Sequence, residues 1–214
     1  MSASPSPRVA LVDYGAGNLR SVAKALERSG LAVDVTSDAA AVGRADAVVL
    51  PGVGAFAAAA ANLRAKGLDE AVSRGIESGR PYLGLCLGLQ LLFEESDEHA
   101  ATRGLACFAG SVRRFPDERG GRPLRVPHIG WNEVRWSGAH PLLAGLPERD
   151  TYYFVHSYRA LPAEPALVVG SCDYGGPFAA AVARANVFAV QFHPEKSQAA
   201  GKRLLDAFAA WVRA

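Results

Sequence analysis

Short apolar runs alternate with helix-period segments along the first half of the chain. Arg8 to Val12 reads as a buried strand, and a turn follows at Asp13-Tyr14-Gly15-Ala16-Gly17-Asn18. Leu19, Val22, Ala23 and Leu26 then recur at helical spacing, with Gly30 as a helix stop. Leu31 to Thr36 is a second strand, a short helical piece comes next, and Asp46 to Leu50 is a third strand. Helices are predicted over Phe56 to Leu63 and Leu68 to Glu77, before the breaks at Gly79 and Pro81. The apolar run into Gly84 is a further strand, and Leu87 to about Glu95 is predicted as its following helix. Strands alternating with helices imply a parallel sheet covered on both faces.

After Asp97 the pattern changes to period two. Gly104 to Phe115 gives strand-like pieces before a polar turn, and Asn132 to Trp136 and Thr151 to Val155 are β-rich. Ala166 to Cys172, Phe178 to Ala183 and Val187 to Phe192 read as successive strands on short turns. Ser197 to Arg213 is a closing helix whose stripe is Leu204, Leu205, Phe208, Trp211 and Val212. The predicted fold class is α/β, an open, mostly parallel sheet with helices on both faces and an antiparallel or mixed β extension in the second half. No repeat or linker divides the chain, so residues 8–214 are expected to form one domain behind a disordered Pro/Ser-rich tail, 1–7.

Composition narrows the function classes. The 214 residues are 50% hydrophobic, enough for one domain with a proper core. A net charge of +2 with no Lys/Arg cluster gives no reason to expect nucleic acid or an anionic membrane as partner. Three widely spaced cysteines, Cys86, Cys107 and Cys172, make neither a disulfide framework nor a zinc motif and favour a reducing compartment. With no signal-like apolar start and no long apolar run, a cytoplasmic location is expected.

The candidate chemistry begins at Gly84-Leu85-Cys86-Leu87-Gly88, the cysteine form of the Gly-x-Ser-x-Gly nucleophile elbow. Such a turn sets a nucleophile at a helix N-terminus, where free N–H groups and the helix dipole favour a thiolate. A buried cysteine between leucines is ordinarily a small core residue, and this stretch alone leaves both readings open. The Gly15-Ala16-Gly17 turn invites a nucleotide, but the third glycine position of a dinucleotide fingerprint is Arg20, so no cofactor is expected. Pro51-Gly52-Val53-Gly54 could aim backbone N–H groups at a ligand as half of an oxyanion hole. Taken locally, a tight turn into the next helix is the simpler reading.

The second informative stretch is Val190-Gln191-Phe192-His193-Pro194-Glu195-Lys196, a buried strand ending in His-Pro-Glu. With the chain extended through Pro194, His193 and Glu195 project to one side, where the carboxylate can orient the imidazole. Cys86, His193 and Glu195 then supply nucleophile, general base and acid, and orienter. Of the other four histidines, His99 and His140 lie in polar loops and are expected at the surface. His128 and His156 read as structural. None has metal-ligand spacing, so no metal is expected.

Together, Pro51 to Gly54, Gly84 to Gln90 and Gln191 to Ser197 resemble the motifs of class I, triad-type glutamine amidotransferases. Within that class, Asp13 to Ser21, Pro127-His128-Ile129-Gly130-Trp131-Asn132 and Tyr153-Phe154-Val155-His156-Ser157-Tyr158 are similar to those of glutaminase subunits of imidazole glycerol phosphate synthases. The resemblance spans Val9 to the final helix. It implies that Cys86 attacks the side-chain amide of L-glutamine, with His193 and Glu195 as its partners and Gly52, Val53 and Leu87 as the oxyanion hole. Gln90, Ser157 and Tyr158 would hold the substrate. It also implies a heterodimer with a (β/α)8-barrel cyclase, which takes ammonia in histidine biosynthesis, with Tyr14, Asn18, Trp131, Tyr153 and Lys196 facing that partner. The alternatives are a glutaminase of another synthase, such as that of pyridoxal phosphate synthesis, or a non-catalytic α/β binding module.

Overall fold

The computed structural model describes residues 6–15, 17–98 and 101–214. Residues 1–5 of the expected tail, and His99, lie outside the described residues. The first half alternates as predicted: β1 (Arg8–Val12), α1 (Leu19–Glu27), β2 (Ala32–Thr36), α2 (Ala39–Arg44), β3 (Ala47–Leu50), α3 (Phe56–Ala65), α4 (Leu68–Glu77) and β4 (Tyr82–Leu85). A single turn, α5 (Leu87–Gln90), follows, then β5 (Phe93–Ser96), β6 (Thr102–Arg103), β7 (Phe108–Arg114), β8 (Glu118–Arg119) and β9 (Arg122–Pro123). The remainder is β10 (His128–Trp136), β11 (Arg149–His156), β12 (Tyr158–Pro162), β13 (Val168–Asp173), β14 (Pro177–Arg184), β15 (Val187–Val190) and α6 (Gln198–Arg213).

Nine strands form the main sheet, in the order β11-β10-β13-β14-β15-β4-β3-β1-β2. Pairing is parallel from β15 through β4, β3 and β1 to β2, and antiparallel from β15 outward to β11. The β4 and β3 strands are buried at every residue, as a strand covered on both faces requires. One face carries Val22 and Leu26 of α1 and Leu204 and Phe208 of α6. The other carries Phe56 and Leu63 of α3 and Leu68 and Val72 of α4. No helix among the described residues is long and apolar enough to cross a membrane.

Three expectations are corrected. The helix predicted to Glu95 stops at Gln90, and Phe93–Ser96 becomes a strand. An unbroken Leu-Leu-Phe run suits either period, and pairing with β7 decides it. Secondly, β5, β6, β7 and β12 do not extend the main sheet; they form a separate four-stranded one, ordered β12-β7-β5-β6. Thirdly, His140 is buried, not at the surface. Its Nδ1 accepts from the Leu142 N–H at 3.2 Å, its Nε2 meets the Ala185 carbonyl at 3.1 Å, and its ring packs on Phe188 and Trp211. A polar loop pinned between a hairpin and α6 buries its histidine as a cap.

The elbow is set by close packing. A Cβ on Gly88 would sit 1.9 Å from the Leu50 carbonyl oxygen, and one on Gly84 2.7 Å from the Gly88 carbonyl oxygen. Backbone cannot yield as a flexible side chain does. Gly88→Ala should therefore lower unfolding stability by about 3 kcal/mol, the upper range for overpacking. A urea midpoint equal to wild type would show that the elbow does not need this approach.

Candidate active site

β4 delivers Cys86 at its carboxyl end. The residue stands at φ +53° and ψ −103°, a conformation that is strained for a side chain bearing a Cβ. Its N–H is held by the Val190 carbonyl at 2.8 Å, and its own carbonyl accepts from Leu89 N–H at 3.0 Å. The sulfur is thus fixed at the edge of the sheet and only 6% exposed. Because α5 is one turn long, the dipole contribution expected there is small.

The neighbouring β15 leads to His193, the candidate base. The His193 N–H is tied to the Tyr153 carbonyl at 2.9 Å, and the Ser197 hydroxyl donates to the His193 carbonyl at 2.6 Å. The His193 Nδ1 meets Glu195 Oε1 at 2.8 Å, both side chains being almost fully buried. The pair forms differently from the sequence expectation. Pro194–Lys196 is a 3-10 turn, because the fixed φ of proline suits the first position of a helical turn. The turn, not an extended chain, brings carboxylate and imidazole together. Burial disfavours the imidazolium, but contact with Cys86 and Glu195 outweighs it and raises the His193 pKa to about 10. Among the described residues, nothing meets His193 Nε2 at hydrogen-bonding geometry. That nitrogen stays open toward Cys86 and the reacting group.

A cavity of about 440 Å³ opens over Cys86. It is lined by the predicted Val53, Leu87, Gln90, Ser157, Tyr158 and Lys196, and by Glu98 and His156, which sequence reasoning did not assign to the site. Glu98 and Lys196 give the lining one carboxylate and one ammonium. Glu98 Oε2 also accepts from the Phe56 N–H at 2.7 Å, which locks its position. The Gln90 Nε2 donates to the Tyr158 carbonyl and to Gln191 Oε1, each at 3.0 Å. Of the intended oxyanion donors, the Leu87 N–H donates to the Gly52 carbonyl at 3.4 Å. The Leu87 N–H is therefore already engaged by a carbonyl.

Beneath this floor lies a histidine pair. His128 Nδ1 and His156 Nε2 are 3.0 Å apart, His156 Nδ1 is 2.8 Å from the Tyr158 carbonyl, and Asn132 Nδ2 is 3.0 Å from His128 Nε2. A carbonyl only accepts, so His156 carries its proton on Nδ1 and accepts at Nε2. His128 must then donate from Nδ1 and accept from Asn132. Both rings are neutral in this chain of bonds. The structural reading of these histidines agrees with the geometry, although His156 also lines the cavity.

Of the residues proposed to face a partner, Tyr14 is corrected: it is fully buried. Its hydroxyl packs on the Gly52 backbone, since a Cβ on Gly52 would lie 2.4 Å from it. The apolar end of β1 leads it inward rather than to the rim. Asn18 is exposed. Trp131 is 46% exposed and meets Tyr153 edge-on at 5.9 Å, and Lys196 Nζ lies 5.9 Å from the Tyr153 ring. Ile129, 54% exposed and two residues before Trp131 on the same face of β10, extends this patch. Strand alternation was the available signal for it.

The family model for class-I glutamine amidotransferases matches residues 10–210, and the chain belongs to that family. Its curated relatives are more specific. The imidazole glycerol phosphate synthase subunit HisH of Methylococcus capsulatus is 53% identical over 209 residues, covering 95% of this chain and 96% of that protein. The HisH subunit of Aquifex aeolicus is 48% identical over 202 residues, covering 94% and 95%. Among solved structures, a glutamine amidotransferase superposes with a TM-score of 0.73 at 19% identity, covering 96% of this chain and 99% of that one. PurLQS from Thermotoga maritima gives 0.71 at 19% identity over the same shares. These two show a shared fold.

The histidine pair generates a pH prediction. Burial lowers His128 to about 4 and His156 to about 3, and it lowers His140 as well, against 6.5 for a free histidine. Below 6.5 the unfolded chain takes protons that the folded chain refuses, so stability falls as pH drops toward 4. His193, whose pKa is raised, works the other way: its contribution is complete below 6.5 and disappears as pH rises through about 10. Denaturant unfolding should lose on the order of 3 kcal/mol between pH 6.5 and 4. A flat profile across that window would mean the pair is not held neutral.

Proposed function

We propose that the chain is the glutaminase subunit of an imidazole glycerol phosphate synthase, hydrolysing L-glutamine to L-glutamate and ammonia. The observation that carries this reading is the buried His193–Glu195 pair at 2.8 Å beside a strained Cys86 on the floor of one cavity. The Cys86 sulfur attacks the carboxamide carbon, and the carbonyl electron pair moves onto oxygen. Collapse of that tetrahedral species breaks the C–N bond. His193 Nε2 gives the departing nitrogen its proton, and ammonia leaves behind a thioester. His193 then takes a proton from water, which attacks the thioester and releases glutamate. Glu195 holds the imidazole tautomer through Nδ1 and stabilises its charged form. No cofactor or metal is called for in these steps.

Charge supports glutamine as substrate. Its ammonium suits Glu98, and its carboxylate suits Lys196 and the backbone at Ser157 and Tyr158. With Nε2 committed elsewhere, Gln90 offers its Oε1 to a substrate N–H. The patch of exposed Ile129, Trp131 and Lys196 around the half-buried Tyr153, together with Asn18, is where a partner would seat. That partner is a (β/α)8-barrel cyclase that receives the ammonia and turns phosphoribulosyl-formimino-AICAR phosphate into imidazole glycerol phosphate and AICAR. The subunit designation of the relatives supports such a complex.

The Gly52 carbonyl on Leu87 N–H suggests how the two activities are coupled. If partner binding turns the Gly52-Val53 peptide, an N–H replaces the carbonyl and Leu87 N–H is freed. Missing one oxyanion donor costs about a hundred- to a thousand-fold. Glutamate release by the isolated chain should therefore be at least ~100-fold slower than in the complex with the cyclase and its nucleotide substrate. Equal rates would contradict this account of the coupling. Cys86→Ala should abolish release in both settings, and retained activity there would sink the nucleophile assignment. Glu98→Gln should raise KM for glutamine about tenfold or more while changing kcat less, as loss of a ground-state ion pair does. An unchanged KM would remove Glu98 from substrate binding.

A further inference from the structure

The triad leaves one contact of the nucleophile unexplained. Gln191 is fully buried between β15 and His193, and its Nε2 lies 3.6 Å from Cys86 Sγ. The orientation of its amide follows from its neighbours. The Tyr158 carbonyl only accepts, so the Gln90 atom beside it is the nitrogen. That nitrogen also faces Gln191 at 3.0 Å, and the Gln191 atom there must be the oxygen. The Gln191 NH2 group is thereby left pointing at the sulfur.

The geometry points to Gln191 as a further catalytic residue, whose side-chain amide donates to the Cys86 sulfur and holds it as a thiolate. The inference rests on Cys86 being the nucleophile. A thiol is a weak acceptor and a thiolate a strong one, so an amide N–H aimed at sulfur favours ionisation of the nucleophile. The donor is neutral, so it adds no charge to compete with the His193–Glu195 pair. It is also in place while the Gly52 carbonyl still occupies the Leu87 N–H, so the nucleophile is prepared independently of the oxyanion hole. The Gln90 link extends the effect. The residue proposed to meet glutamine is bonded through Gln191 to the sulfur that attacks it. As the thioester forms, sulfur loses its charge and this bond weakens. Gln191 therefore acts on the resting nucleophile more than on the later steps.

The test is the pH profile of Cys86 alkylation by iodoacetamide in the full chain, read by mass spectrometry of the Cys86 peptide so that Cys107 and Cys172 do not interfere. In Gln191→Met, near in volume but without the donor, half-maximal alkylation should move up by about one pH unit, a roughly tenfold slower reaction on the acidic limb. Gln191→Glu, which sets a carboxylate against the sulfur, should move it further. A folded variant of either kind whose profile overlies wild type overturns the inference. The wild-type protein gives an independent reading: the Gln191 side-chain amide signals in an NMR titration should shift with the alkylation midpoint, and signals that stay fixed would also overturn it. Alkylation needs no glutamine turnover. If Cys86 were not the glutaminase nucleophile, Cys86→Ala would keep glutamate release, whatever the alkylation profile shows.

Discussion

The close approach of Gly88 to the Leu50 carbonyl fixes the site, because it locks β4 and its elbow against β3. The β3, β4 and β15 strands are consecutive and parallel in the sheet, so their carboxyl ends share one edge. β3 runs out into Pro51–Gly54, β4 into Cys86, and β15 into Gln191–Glu195. Residues far apart in sequence become neighbours there without a long loop having to place them. The end of β11 and its turn into β12 supply the cavity wall at Val155–Tyr158, and the antiparallel half of the main sheet carries the exposed face of β10. Open α/β sheets place ligand sites at such carboxyl edges.

Polar satisfaction separates the rigid parts of this edge from the movable one. The Tyr158 carbonyl takes two donors, Gln90 Nε2 and His156 Nδ1. The Ser197 hydroxyl accepts from Tyr153 N–H and donates to the His193 carbonyl, tying α6 to the base and to the strand under the aromatic patch. Each of these bonds is 2.6 to 3.0 Å long. The Leu87–Gly52 bond is longer, at 3.4 Å, and its acceptor lies in the glycine-bearing turn after β3, beside an exposed Val53.

The alternating first half was legible because burial on both faces and helical amphipathicity leave distinct periods in the sequence. The elbow and the His-Pro-Glu end were legible because glycine spacing and strand ends constrain few alternatives. What escaped depended on contacts between distant segments. Phe93–Ser96 took strand form because β6 and β7 flank it, and His140 was buried because Ala185 and Trp211 close over its loop. Tyr14 looked like a rim residue because its turn is rich in glycine and polar residues, yet the apolar end of β1 carries it inward. Glu98 and Gln191 carry no local signature. One is an acid in a polar segment, and the other is a polar residue just past a buried strand, whose need for a partner does not say which partner it finds.

Unpaired polar atoms show where this arrangement is incomplete. Among the described residues, the buried side-chain atoms without a hydrogen-bond partner include Tyr14 OH, His193 Nε2 and Glu195 Oε2, all at the elbow edge. In the proposed reaction His193 Nε2 exchanges protons with sulfur, nitrogen and water in turn, and a standing partner would obstruct it. Tyr14 OH lies against Gly52, and burial first and the nearby Cys86 second push its pKa far up, so it remains a donor. A hydroxyl donor fixed beside the movable peptide favours any position of that peptide that turns a carbonyl toward it. Incomplete bonding around the elbow is thus a physical reason for the Pro51–Gly54 turn to have a second position.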